Sequence, residues 1–227
     1  MPIPRPTAAR TRVHPDRRGP DRGTSRTRLL DAAVGVIRAQ GLSATTVDDL
    51  CAAAGVSKGA FFHNFANKEA LAVAAAEYWG ETTGGMFATA PYHEPARAAD
   101  RVLAYVDFRA SLIGDAPEAY SCLAGTMVQE AFANPAIRDA CGDAILDHAA
   151  TLEGDMAEAL ADAGGPLAGD ALAEEAASLA RYTQIVLQGA FVVSKAAADA
   201  AVVLDAIRHL RIYLEARLTP TIEGARP

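Results

Sequence analysis

Residues 45–68 read TTVDDLCAAAGVSKGAFFHNFANK, and this stretch decides the fold. Thr46 is a good helix N-cap, and Asp49 three residues on gives the spacing of a capping box, so a helix can begin at Val47. Val47, Leu50, Cys51 and Ala54 then fall at i, i+3, i+4 and i+7, a single apolar stripe. Gly55 sits where a helix end takes a left-handed residue, and Ser57 caps the next start. The second helix, residues 58–65, puts Phe61 and Phe65 on one side, a core pair. Lys58, Gly59, Phe62, His63 and Asn64 lie around the rest. Asn67 caps a further helix running from Lys68 to about Thr89.

Helix, short glycine turn, helix is the spacing of a DNA-binding helix-turn-helix, whose second helix enters the major groove. A helical hairpin of another kind of protein has the same spacing. The wording narrows the choice. LLDAAVGVIRAQG at 29–41, ATTVDDLCAAAGVSKGAFFHNF at 44–65 and NKEAL at 67–71 resemble the tetracycline-repressor (TetR/AcrR) family of bacterial transcription regulators almost position by position. The resemblance implies an all-α chain with a helix-turn-helix head over 25–70. A helical effector-binding and dimerising body over 71–220 would follow it.

By that resemblance Lys58, Gly59, Ala60, Phe62 and His63 occupy the positions that touch base edges. Thr45, Thr46, Asn64 and Lys68 occupy those that hold the DNA backbone. The chemistry agrees, since Lys58 and His63 can donate to guanine acceptors and Gly59-Ala60 allow close approach to the groove floor. A helix start at Asn67 with Lys68 beside it also makes a natural phosphate site. Phe62 departs from the family pattern, where a tyrosine is usual. A hydroxyl contact to phosphate is missing there, and a thymine methyl is the alternative partner.

The charge is unevenly placed. The 227-residue chain carries −7 overall, yet residues 1–70 hold 11 Lys/Arg against 6 Asp/Glu, a net +5, and the remainder is −12. Phosphate contact is local, so the basic end matters more than the acidic total. Residues 1–24, rich in Pro, Gly and Arg, read as a flexible basic arm, either an unstructured leader or a minor-groove arm.

No run approaches the ~18 apolar residues of a membrane span, and the N-terminus lacks the apolar core of a signal peptide. The three cysteines, Cys51, Cys122 and Cys141, lack zinc or CxxC spacing. A reducing cytoplasm is the expected compartment, with no metal, no cofactor and no membrane partner.

Ser25 or Thr24 caps a first helix to about Gln40, with Leu30, Ala33, Val34 and Ile37 inward and Gly41 ending it. Beyond the head, Gly and Pro punctuation suggests helices near 95–114, 117–133, 135–163, 170–198 and 200–218. The last two are long and amphipathic and fit a dimer interface, usual in chains resembling this family. Its expected residues are Leu179, Tyr182, Val186, Gly189, Ala190, Val203, Ile207, Leu210 and Leu214. Intramolecular core is the competing reading for the same residues.

The middle helices hold candidate effector contacts in Phe87, Tyr105, Phe108, Cys122, Met127, His148, Tyr182 and Gln184, with Phe132 nearby. Together they suggest a medium-sized, mostly apolar effector. Cys122 lies in SCLAGTMVQE, which resembles a segment in a subset of these regulators, some of which sense electrophiles through cysteine. A buried small hydrophobe is the plainer role. Cys122 with His148 is a conceivable thiol–imidazole pair, but no nucleophile motif, phosphate loop, HExxH or dinucleotide fingerprint accompanies it, so no catalytic residue is assigned. The expected function is a DNA-binding regulator, by default a repressor. It would act as a homodimer on a palindromic double-stranded operator and be released by a small-molecule effector.

Overall fold

The structure, a computed structural model, describes residues 23–219. Most of the expected basic arm lies outside the described residues. Among those described, every regular element is helical: α1 (Ser25–Gln40), α2 (Val47–Ala54), α3 (Lys58–Asn64), α4 (Lys68–Ala88), α5 (Ala98–Ser111), α6 (Leu123–Ala131), α7 (Pro135–Ala150), α8 (Glu153–Asp162), α9 (Asp170–Ala197) and α10 (Ala201–Leu218). Short 3-10 turns at Pro91–His93 and Pro117–Tyr120 join them.

The head forms where its local signals place it. Thr24 Oγ1 accepts from the Thr27 amide and starts α1. Thr46 and Asp49 make a reciprocal capping box: the Thr46 side chain accepts from the Asp49 amide at 3.1 Å, and Asp49 Oδ2 accepts from the Thr46 amide at 2.9 Å. Gly55 ends α2 at φ 61°, ψ 43°, the left-handed conformation that costs a side-chain-bearing residue about 1–2 kcal/mol. Ser57 Oγ accepts from the Ala60 amide and starts α3. Leu29, Ala33, Ile37, Leu50, Phe61 and Leu71 are fully buried between these helices.

That apolar cluster does not stop at the end of the head. It continues without a gap into Leu123, Ala124 and Met127 of α6 and Ile137 and Cys141 of α7. Two polar ties reinforce the seam. Arg38 Nε donates to the Ser121 carbonyl at 2.8 Å while Ser121 Oγ donates to the Arg38 carbonyl at 3.1 Å. Glu130 Oε2 accepts from the Ser43 amide at 2.7 Å. Gly41 closes α1 at φ 89°, a conformation that favours glycine, and a Cβ there would lie 2.3 Å from Glu130 Oε1 and push that carboxylate aside. The second core joins α5, α8, α9 and α10 with the end of α4.

Two expected helices are shorter than their sequence pattern suggests. The segment 117–133 is a 3-10 turn followed by α6, with Ser121 extended at φ −141°, ψ 154°. The Arg38 clasp on Ser121 fixes that break, and its partner lies 83 positions away. The segment 135–163 divides into α7 and α8 at Thr151–Leu152. Thr151 Oγ1 donates to the His148 carbonyl at 2.7 Å and takes up one of the carbonyls left free at the end of α7. The Asn134-Pro135 start holds as expected, with Asn134 Oδ1 accepting from the Ala136 amide.

Candidate nucleic-acid interface and effector cavity

Helix α3 presents a short outer face. Lys58, Gly59, Phe62 and His63 are exposed, Ala60 is half-buried, and Phe62 stands 57% exposed against the edge of buried Phe61, ring centroids 5.2 Å apart. Lys58 Nζ lies 2.8 Å from Asp48 Oδ1, an exposed pair that raises the ammonium pKa and keeps it charged. Thr46 is exposed beside it, with its side chain in the capping box.

Three residues expected to hold the DNA backbone also make hydrogen bonds inside the head. Thr45 is 1% exposed and its hydroxyl donates to the Gly41 carbonyl at 2.6 Å. Asn64 Nδ2 donates to Ser25 Oγ at 3.0 Å and to the Ala60 carbonyl at 2.7 Å. Lys68 Nζ donates to the Leu42 and Thr45 carbonyls at 3.0 and 2.9 Å, clamping the loop between α1 and α2. Folding thus uses side-chain donors of all three within the chain.

A cleft of about 660 Å³, open mouth included, lies where α1, α4, α5, α7 and α9 meet the segment that precedes α6. Of the expected effector residues, Phe87, Cys122, His148 and Gln184 line it. Tyr105 stands behind them as the centre of a polar cluster. Gln184 Nε2 donates to the Tyr105 hydroxyl at 3.0 Å, and Arg109 Nη1 approaches it at 3.4 Å. With its oxygen so occupied, Tyr105 turns its proton to His148 Nε2 at 2.9 Å, which places the imidazole proton on Nδ1. Burial, reinforced by Arg109, pushes His148 down to about 4, so the ring is neutral at pH 7.

The other three expected residues lie elsewhere. Met127 is fully buried in the core shared with the head, Phe108 packs edge-on against Phe87 at 5.6 Å, and Tyr182 is exposed beside Tyr213 at 5.2 Å. Phe132 is 66% exposed.

The cleft also has walls that the sequence reading did not select: Arg38, Trp79, Met86, Arg109, Ile145 and Phe191. Arg38 stacks over Trp79 at 4.7 Å, and Arg109 lies 5.3 Å from the Phe87 ring centre and 5.9 Å from that of Phe191. Each arginine sits on an amphipathic helix, where a charge ordinarily marks the solvated face, so the local pattern gives no signal. Of the cysteines, Cys51 and Cys141 are buried and Cys122 is half-buried. Burial pushes the Cys141 thiol up to about 12.

The exposed side of α9 carries an apolar stripe that keeps two of the expected interface residues, Tyr182 and Gly189, and otherwise consists of different ones. Leu179, Ala190, Val203, Ile207, Leu210 and Leu214 are turned into the protomer's own core, joined by half-buried Val186. Outside lie Tyr182, Ile185, Gly189, Val192 and Val193 of α9, a stripe at helical spacing, with Leu204, Ile212 and Tyr213 of α10. Helix α9 is therefore apolar on two faces, while the exposed side of α10 mixes Leu204, Ile212 and Tyr213 with charged residues such as Asp205 and Arg208, and packing against α5 and α8 selects the inward faces.

Residues 29–75 match the model of the bacterial regulatory proteins of the tetR family. The matched stretch spans most of α1, all of α2 and α3 and the start of α4, and over it the chain is similar to that family. The uncharacterized HTH-type transcriptional regulator YerO of Bacillus subtilis is 36% identical over 52 residues, 23% of this chain and 18% of YerO's own length. This similarity is confined to a region the size of the head. The fold extends further. A TetR-family regulator from Cytophaga hutchinsonii superposes with a TM-score of 0.67 at 23% identity, covering 85% of this chain and 94% of its own. One from Chloroflexus aurantiacus gives 0.70 at 23% identity, covering 87% and 97%. The arrangement of helices in the body of this chain is thus similar to that of these solved regulators. No helix among the described residues is long and apolar enough to cross a membrane.

Proposed function

We propose that this chain is a DNA-binding transcriptional regulator that acts as a homodimer on a palindromic operator, by default as a repressor. A small molecule in the cleft would release it. The observation that carries the reading is the outer face of α3, where Lys58, Phe62 and His63 stand exposed on a helix fixed by the head's core. Residues 25–70 serve as the reading head, residues 71–220 as the sensing and dimerising body, and residues 1–24 as a basic arm. The exposed stripe from Tyr182 to Val193, with Leu204, Ile212 and Tyr213, suits the partner's equivalent stripe. An isologous two-fold contact there would set two heads on half-sites about one helical turn apart. We place the activity in the cytoplasm and assign no catalysis.

Release follows from the seam. Helix α4 runs about 31 Å from the head to the cleft, and α1 supplies Arg38 to the cleft wall. A ligand that fits one setting of α1 and α4 better than the other shifts the spacing of the heads, and only that differential affinity can do so. Half-buried Cys122 in the same wall supports a second reading, in which an electrophile modifies the thiol. A response to diamide that survives Cys122→Ser would remove it.

The deciding experiment is selection of bound DNA from a random duplex pool with purified protein at physiological salt. Recovery of a palindrome is expected. Enrichment no better than that of Lys58→Glu protein would mean that α3 does not read sequence.

A further inference from the structure

Arg109 is set apart from most other arginines of the body by having no acid. Arg101 pairs with Asp155 and Glu158, Arg138 with Asp139, Arg208 with Asp205, Arg211 with Asp107 and Glu215, and Arg217 with Glu175. Among the described residues neither Arg109 nor Arg38 has such a partner, and no residue lining the cleft is Asp or Glu. Glu118, an exposed residue, acts on Arg38 only at longer range. Both guanidinium groups are half-buried, so water only partly replaces the missing anion.

Their donors are also unspent. Arg109 uses Nη1 alone, in long contacts of 3.4 and 3.5 Å to Tyr105 and His148, and Arg38 uses Nε alone. Each cation lies over an aromatic ring, and the donors it leaves over suit a planar two-oxygen acceptor. Neutral His148 contributes no counter-charge. Much of the rest of the wall, including Met86, Leu112, Ile113 and Ile145, is apolar, and its remaining polar side chains, such as Gln184 and Gln188, are uncharged.

We propose that the effector is an amphipathic carboxylate, its anionic end held by Arg109 and its apolar body lying among Trp79, Met86, Phe87 and Ile145. This deepens the reading of the cleft as the effector site and rests on it. Arg38 gives the carboxylate a direct bearing on the head. An anion that draws on this guanidinium competes with the Ser121 carbonyl, and the Arg38–Ser121 clasp ties the end of α1 to the body.

The chain holds one tryptophan, Trp79, and it lines the cleft, so its fluorescence reports occupancy without any DNA. The probes are 4-phenylbutyrate, 4-phenylbutan-1-ol and 4-phenylbutylamine, equal in apolar body and different in charge. The acid should bind about 10- to 100-fold more tightly than the alcohol, the range of a charge-assisted bidentate contact, with the amine weakest. Arg109→Gln should abolish that preference while leaving the alcohol unchanged, and Arg109→Lys should keep part of it. An alcohol that binds as well as the acid, or an Arg109→Gln loss shared equally by both, would overturn the assignment. Silence from all three probes would overturn it together with the effector-site reading. Binding of the acid that leaves the selected operator occupied would uphold the carboxylate site and remove only the release mechanism.

Discussion

Lys68→Met separates two roles that compete for one side chain, a phosphate contact and an internal clamp. In the structure the ammonium donates to the Leu42 and Thr45 carbonyls at 3.0 and 2.9 Å. Hydrogen bonds from a charged group contribute about 1.5–3 kcal/mol each when their loss leaves the partner unsatisfied. Lys68 is half-buried, so water recovers much of that at both carbonyls, and about 1–2 kcal/mol in total is the expected loss. Methionine keeps the apolar stem, which limits the change to the ammonium. For a chain of this size each kcal/mol shifts Tm by about 2–4 °C, so the variant should melt about 2–8 °C below the parent by circular dichroism. The same protein is then titrated with its selected duplex across a salt series. A lost phosphate contact lowers the slope of log affinity against log salt by about 0.9 per site, whereas loss of a clamp leaves it unchanged. The expected result is a lower Tm with an unchanged slope. An unchanged Tm with a slope reduced by about one per protomer would refute the clamp.

Two further outcomes follow from the same geometry. Asp48→Asn frees Lys58 from its exposed partner and removes a negative charge from the reading face, so duplex affinity should rise roughly two- to five-fold at low salt and less at high salt, by fluorescence anisotropy. Weaker binding would mean that Asp48 positions the lysine for DNA. The second concerns His148, whose folded-state pKa of about 4 lies below its ordinary 6.5. The unfolded chain then takes up this proton first as pH falls. The stability His148 contributes is complete above about pH 6.5 and is lost progressively toward pH 4. Tm should fall through that window more steeply in the parent than in His148→Gln, and parallel profiles would contradict the burial of a neutral ring.

What the sequence by itself determined lies in the head. Thr46 with Asp49, Gly55 and Ser57 act on amides within three or four residues of themselves, so α2, the turn and α3 are legible without knowing what packs on them. The helical class and the Asn134-Pro135 start are local in the same sense. Only the tertiary structure decided the rest. The break at Ser121 is made by Arg38, and the cleft by side chains from five helices and the segment before α6, among them two arginines 71 positions apart. Thr45, Asn64 and Lys68 carry donors suited to phosphate, yet the carbonyl and hydroxyl oxygens that take them come from the loop before α2, from α1 and from α3. Helices α9 and α10 have apolar residues on two faces, and their own periodicity cannot rank them. Caps and turns are energies of neighbouring residues along the chain, while the destination of a polar donor or an apolar face depends on surfaces that folding brings alongside it.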